Sequence, residues 1–220
     1  MMFDVRGMKL VCFAVKEEAP AFRKLAGPKA GVATLVTGMG RRNAEAAVRR
    51  FLARQPAKLV LTCGFAGGLH PDLAPGAVVY ETTDEELAAR LVRAGAKPAK
   101  IFCADRVAVT VAQKQELRNS TGADVVEMES AAIQMVCREL KIPCATVRVI
   151  SDAAGEDLPL DFNQLYRPDM TLDTRKLAWT IARSPWKIPS LMRLQKRCQY
   201  AAERLATVLV MVLPVEGRNQ

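Results

Sequence analysis

The sequence predicts one α/β domain built on a largely parallel sheet. Three observations carry this. Short apolar runs alternate with helical patterns from residue 9 to about residue 155, with no repeat and no linker between them. The 220 residues suffice for one sizeable domain and not for two comfortable ones. Half of them are apolar and a quarter charged, an ordinary globular balance with no signature of disorder.

The elements follow in order. KLVCFAV (9–15) is a short apolar run, predicted as a buried strand, and KEEAPAFRKLA turns from it into a helical pattern. GVATLVTGMG (31–40) is a strand ending in glycines. RRNAEAAVRRFLARQ (41–55) is a helix with Ala44, Ala47, Val48 and Phe51 on one face. AKLVLTCGFAGGL (57–69) is predicted as a strand followed by a glycine-rich loop, and GAVVYE (76–81) as a further strand. TDEELAARLVRAG (83–95) has a threonine at the N-cap and acids in its first turn, so a helix is expected. KIFCADRVAVTV (100–111) is strand-like with an interruption. ADVVEME (123–129), SAAIQMVCRELKI (130–142) and PCATVRVISD (143–152) are strand, helix and strand. Residues 155–173 are irregular, and the chain is then helical over 174–213.

Composition excludes several classes of function. MMFDVRGMKLVCFAV does not have the pattern of a signal peptide, since Asp4 comes early and the apolar run is short. ATVLVMVLPV (206–215) is far below the ~20 apolar residues of a spanning helix. The six cysteines, Cys12, Cys63, Cys103, Cys137, Cys144 and Cys198, form no CxxC pair and mostly have apolar neighbours. They are expected to be small core residues of a reduced cytoplasmic protein. A single histidine, His70, argues against a histidine-based metal site, and no metal or other cofactor is expected. The net charge of +9 is concentrated: residues 175–204 hold eight Lys/Arg against Glu203 alone, which is +7. The rest of the chain is nearly neutral, which argues against a nucleic-acid surface spread over the domain.

In open α/β sheets, ligands bind beyond the carboxyl ends of the strands. Three such ends carry acids here: Glu17 and Glu18 after the first strand, Glu127 and Glu129 after ADVV, and Asp152 after ATVRVIS. Each alone is also explained by helix capping or by a solvated loop. In extended chain Glu127 and Glu129 share a face. Three acids converging on one cleft would suit a general base, a hydroxyl binder and a general acid. TGMGRRN (37–43) lacks the third glycine of a dinucleotide loop and has no acid at the ribose position, so a tight turn is expected. In CGFAGGL (63–69), which includes Gly67, three glycines let backbone approach a ligand. Cys63 has no histidine in its segment to activate it.

Taken together, AVKEEA (14–19), TGMGRRNAEAAV (37–48), CGFAGGLHPDLAPGAVV (63–79) and VVEMESAAIQMVCRELKIPCATVRVISDAA (125–154) resemble the nucleoside phosphorylase/nucleosidase superfamily. The likeness is greatest to the methylthioadenosine/adenosylhomocysteine nucleosidases. It implies a single three-layer α/β/α domain over 1–220 with a central mixed, largely parallel sheet. It further implies a purine nucleosidase that releases adenine from a 5′-substituted adenosine-type nucleoside and forms a homo-oligomer. Asp152 would protonate N7 of the leaving purine, Glu129 would hold the ribose hydroxyls with Met128 packed on the sugar and Glu127 nearby, and Glu18 would orient the attacking water. A carboxylate facing the sugar stabilises an oxocarbenium-like transition state.

Three departures stand out. Val107 and Ala108 occupy the place where the family often stacks an aromatic residue on the base. Phe65 stands where a Ser or Thr is frequent, and the stretch between GAVVY and IFCAD is short. Phosphorolysis, with Lys16 and Arg41 as phosphate ligands, is the alternative reaction, although a carboxylate at Glu18 would repel phosphate. A non-catalytic nucleoside-binding module is a second alternative, opposed by the joint retention of Glu18, Glu129 and Asp152. At the C-terminal end, Leu191, Leu194, Cys198, Ala201, Leu205 and Leu209 fall at helical spacing, a packing face whose opposite side is basic. That basic flank, with Trp179 and Trp186, either is solvated or lies at a membrane surface. This tail and the shortened middle also resemble the hopanoid-associated phosphorylase-like branch, whose members act on an adenosyl-lipid.

Overall fold

The computed structural model describes residues 7–27 and 31–213; Asp4 and the final residues of the 1–220 unit lie outside the described residues. β1 (Lys9–Phe13), β3 (Leu59–Gly68) and β8 (Cys144–Asp152) are mutually parallel and form the middle of one mixed sheet. β2 (Val32–Val36) pairs with the free edge of β1 in parallel. β4 (Val78–Glu81) joins β8 antiparallel and carries the short β5 (Lys97–Pro98) beyond it. β7 (Val125–Glu127) runs antiparallel to the end of β3, with β6 (Ile101–Cys103) parallel beside it.

Period-two alternation divides the core. Val11, Phe13, Leu61, Cys63, Val147 and Val149 meet α1 (Ala19–Ala26), α3 (Glu85–Arg93) and α8 (Ile188–Val212). Leu10, Cys12 and Val60 meet α2 (Arg41–Leu52) and α5 (Ser130–Glu139) on the other face. The fully buried Phe22, Leu205 and Leu209 anchor α1 and α8, each such burial worth roughly 1.5–3 kcal/mol. This is the expected three-layer α/β/α arrangement around a mixed, largely parallel sheet.

Several local expectations are corrected. CGFAGGL is not a loop: β3 continues to Gly68, and Gly67 and Gly68 pair with Val126 and Val125. The run at 100–111 is strand only over β6. From Val111 it becomes α4 (Val111–Thr121), whose side chains bury only Lys114 and therefore show no apolar stripe. The sequence signals of α4 sit at its ends, a capping box of Thr110 with Gln113 and a left-handed Gly122. The N-cap of α3 is Asp84, which accepts the Leu87 N–H at 2.9 Å, and not Thr83. The irregular stretch contains α6 (Phe162–Leu165). The helical region 174–213 is broken into α7 (Thr174–Arg183), a 3₁₀ turn Pro185–Lys187, and α8, because Pro185 cannot continue α7. On α8, Ala201, Leu205 and Leu209 are buried as expected, while Leu191, Leu194 and Cys198 are half-buried.

Candidate active site

Glu18 sits at the N-cap of α1 yet does not cap it. Its carboxylate folds back on the end of β1: Oε2 accepts N–H groups from Ala14 at 2.8 Å and Val15 at 3.1 Å, and Oε1 accepts that of Phe65 at 2.7 Å. Room for it comes from Gly64, where φ is +148° and a Cβ would lie 2.5 Å from Oε1. Neighbouring Lys16 and Glu17 are exposed. Burial raises the Glu18 carboxyl above its ordinary range, partly offset by the three backbone N–H groups and Arg148.

The two glutamates of VEME have different tasks. Glu127 is the helix cap: Oε2 accepts the N–H groups of Glu129 at 3.0 Å and Ser130 at 2.9 Å, and Oε1 accepts the Ser130 hydroxyl at 2.6 Å. Glu129 occupies the N-cap position of α5 without capping. Its Oε1 accepts the N–H of Gly40 at 2.8 Å, so the TGMG turn, with Gly40 at φ +81°, serves to steer this carboxylate.

Both acids face Arg148, which is 1% exposed, forms an ion pair with Glu127 and lies 3.8 Å from Glu129 Oε2. It also donates to Thr62 Oγ1 at 3.2 Å. Burial opposes the charge of Arg148, but the surrounding glutamates outweigh it and raise its pKa. Burial likewise works against Glu127, and Arg148 and Ser130 more than compensate, so its pKa is lowered. Glu129 is pushed up to about 7 by burial, against the pull of Arg148 and with the push of Glu127.

Asp152 is set apart by a bulge. Ala66 pairs with Ile150 but Gly67 pairs with Asp152, leaving Ser151 as the extra residue. In unbroken register Asp152 would follow Arg148 and Ile150 onto the α2/α5 face. The shift matches it to Gly67 instead, whose Cβ, if present, would be 3.4 Å from Asp152 Oδ2. Ser151 Oγ donates to Oδ1 at 2.6 Å, and the buried Lys114 Nζ lies 2.5 Å from Oδ2.

The four carboxylates line one cavity of about 250 Å³, with Arg148 and Lys114 buried behind them. Glu18, Phe65, Gly67, Val107, Ala108, Glu127, Met128, Glu129 and Asp152, the residues singled out from the sequence, all lie on its wall. Lys16 and Arg41 do not. Arg41 donates to the carbonyl of Cys103 and pairs with Asp105 at 3.3 Å, so the structure does not bring the two cations of the phosphorolytic alternative to the site. Val107 is clipped to Asn163, donating to its Oδ1 and accepting from its Nδ2, both at 2.9 Å. Burial raises the Cys63 thiol far above its ordinary range, which opposes a nucleophilic role. Among the described residues, no group of three His, Cys, Asp or Glu side chains is placed to hold a metal.

Sequence reasoning missed four contributors. Arg148 was a detectable signal, a lone charge within an apolar strand. Phe162 and Tyr166 reach the cavity wall from a stretch without periodicity, and Lys114 stands behind Asp152 on a helix without an apolar face. Burial, followed by nearby Glu129 and Glu17, raises the Tyr166 hydroxyl.

Fold and site together define an α/β protein with an acid-walled cleft at the carboxyl ends of its central strands. The family model described as the phosphorylase superfamily matches residues 15–83 and 80–181, and the chain belongs to that superfamily. It is 33% identical over 102 residues to aminodeoxyfutalosine nucleosidase of Campylobacter jejuni, spanning 43% of this chain and 44% of that enzyme. It is 30% identical over 168 residues to 5′-methylthioadenosine/S-adenosylhomocysteine nucleosidase of Bacillus thuringiensis, 60% of this chain and 73% of the relative. Its fold is similar to that of the Helicobacter pylori 5′-methylthioadenosine/S-adenosylhomocysteine nucleosidase with butyl-thio-DADMe-Immucillin-A. That likeness has a TM-score of 0.70 at 17% identity and covers 94% of this chain and 98% of that one. Futalosine hydrolase of Helicobacter pylori matches at a TM-score of 0.67 and 18% identity, over 92% and 97%.

Proposed function

We propose that the protein hydrolyses the N-glycosidic bond of a 5′-substituted adenosine-type nucleoside and releases adenine. The observation that carries this reading is the convergence of buried Glu18, Glu129 and Asp152 on one cavity, each held by a different device. Gly64 and Gly67 mark the places of Glu18 and Asp152 along β3. Three residues of strand separate them by roughly 10 Å, room for a sugar between a water and a leaving base. Asp152 gives its proton to purine N7 as the glycosidic bond breaks. Glu129, close to neutrality in its titration, takes the ribose hydroxyls, and Met128 packs on the sugar. Glu18, raised by burial, accepts the proton of the attacking water at a useful pH. Hydrolysis is the reading that charge supports. Arg148 already serves Glu127 and Glu129, and on the wall itself Arg106 stands against Glu18, Glu127, Glu129 and Asp152, so a phosphate dianion would meet an excess of carboxylate. Leu158, Phe162, Leu194 and Cys198 give an apolar part of the wall on which a 5′-substituent docks, with Arg106 and Tyr166 as its polar neighbours on the wall.

The test is base release from methylthioadenosine, adenosylhomocysteine, 5′-deoxyadenosine and inosine, with and without phosphate. Adenine release from the 5′-substituted adenosines, indifferent to phosphate, is expected. Binding without base release from any of them would favour a nucleoside-binding module.

A second reading concerns the C-terminal arm. α7 and the 3₁₀ turn bury no residue, and Trp179, Trp186 and Met192 are 59%, 71% and 55% exposed. Residues 174–202 carry Arg175, Lys176, Arg183, Lys187, Arg193, Lys196 and Arg197 and no acid. Exposed tryptophans framed by cations suit an anionic lipid surface. Among the described residues no helix is long and apolar enough to cross a membrane, so the arm would lie on the surface. Co-sedimentation with phosphatidylglycerol vesicles but not with phosphatidylcholine vesicles is expected. No sedimentation, with self-association lost on replacing Trp179 and Trp186, would instead assign the arm to contact between copies.

A further inference from the structure

We propose that Lys114 is a positioning residue for Asp152, presenting the carboxylate to the leaving base and stabilising the negative charge left after it gives up its proton. The inference rests on Asp152 being the acid. Lys114 is 1% exposed, in the middle of a helix that otherwise buries no side chain. Its Nζ donates to the carbonyls of Ala153 at 2.7 Å and Glu156 at 2.8 Å, and Asp152 Oδ2 lies 2.5 Å away. Two of the ammonium's protons go to these carbonyls, and its charge faces Asp152 Oδ2 as an ion pair. Glu156 in turn forms an ion pair with Arg197 of α8. The side chain therefore pins the acid, the turn that follows it and, through that turn, the helix bordering the cavity.

Burying an ammonium is costly unless it is paired and fully hydrogen-bonded, and nothing in the packing of α4 calls for one. A methionine would fill the same volume but leave Asp152 without its cation and the carbonyls of Ala153 and Glu156 without this donor. The chemistry supplies a reason. As the Asp152 O–H bond breaks and the N7–H bond forms, charge grows on the carboxylate in a site shielded from water. An ammonium 2.5 Å away interacts more strongly with that carboxylate than with the carboxylic acid. It therefore favours the transition state over the ground state. Ser151, donating to the other oxygen, leaves one direction for the acid to face.

The experiment is a double-mutant cycle on adenine release with Lys114→Met, Asp152→Asn and the pair, alongside thermal melts. Lys114→Met should lower kcat by about a hundredfold, the scale of an ångström's misplacement, with KM within threefold of wild type. The double variant should be no slower than Asp152→Asn, because Lys114 acts only through Asp152. The pair removes both charges, so it is expected to melt at or above Lys114→Met and keeps the cycle readable if the single variant folds poorly. Lys114→Arg, which retains the charge, should recover part of kcat. Losses that add in the double variant, or a rise in KM with kcat unchanged, would overturn the role of Lys114. A near-normal rate for Asp152→Asn alone would instead overturn the acid assignment.

Discussion

The two ends of the cavity hold their carboxylates by opposite means. At one end Glu18, Glu127 and Glu129 surround a single guanidinium, and backbone N–H groups supply most of the remaining hydrogen bonds. At the other a lone carboxylate, Asp152, is ion-paired with a lone ammonium that donates to two carbonyls. The first end has excess negative charge; the second is balanced once Asp152 has given up its proton. In a reaction that builds positive charge on a sugar and expels a base, this asymmetry assigns the ends. In the proposed hydrolysis the anionic end would face water and sugar, and the balanced end the leaving group. The fold enforces the separation through two small devices, the antiparallel β7, which returns Glu127 toward the sheet centre, and the bulge at Ser151, which turns Asp152 away from Arg148.

The largest effect should come from removing the acid. Asp152→Asn should lower kcat for adenine release by about 10²–10⁴ while leaving the melting transition in place. A rate within about threefold of wild type would remove the balanced end from the chemistry.

Within the anionic end, the two glutamates should separate. Glu129→Gln should cost roughly 10²–10³ in kcat, the scale of losing one electrostatic stabiliser. Glu127→Gln should act chiefly on folding. It breaks a buried ion pair and a helix cap together, so a loss of about 3–5 kcal/mol is expected in denaturant titration. Equal effects of the two on both measurements would show that they form one structural unit.

Gly64→Ala is a finer probe. The added methyl collides with the Glu18 carboxylate and meets an unfavourable φ. It should lower kcat by about ten- to a hundredfold, with little change in binding of adenine. Unaltered kcat would mean that the position of Glu18 is not critical.

The smallest effect is on the pH dependence of stability. Glu129 titrates near 7 in the folded protein, above its ordinary 4.5. The folded state therefore holds more protons than the unfolded between these values, and its stability falls as pH rises through that window. Glu129→Gln removes this loss. The variant's melting temperature relative to wild type should climb from pH 4.5 to 7 and level off above. A constant offset across that range would contradict a raised Glu129.

Much of this was legible in the sequence because strand alternation and strand-end acids are local signals. Asp152 and the pairs Glu17/Glu18 and Glu127/Glu129 could be picked out from the ends of apolar runs, and the resemblance chose Glu18 and Glu129 within the pairs. What was hidden depends on pairing between distant segments. The direction of β7 and the bulge at Ser151 are properties of two strands at once. Lys114 lies on a helix legible only through Thr110, Gln113 and Gly122, and Phe162 and Tyr166 lie where no periodicity guides the eye. The pair in VVEMES was undecidable locally, because capping and sugar binding ask for the same residue type. Only the partners of Glu127 and Glu129 tell them apart.

The central claim is that the anionic end activates water. The direct measurement is turnover of a 5′-substituted adenosine in ¹⁸O-water with phosphate present, with mass analysis of the sugar product, in wild type and Glu18→Gln. The account predicts free sugar carrying one ¹⁸O at C1, at a rate independent of phosphate, and loss of that product in the variant. Sugar 1-phosphate without label, forming at a rate that saturates with phosphate, would contradict it.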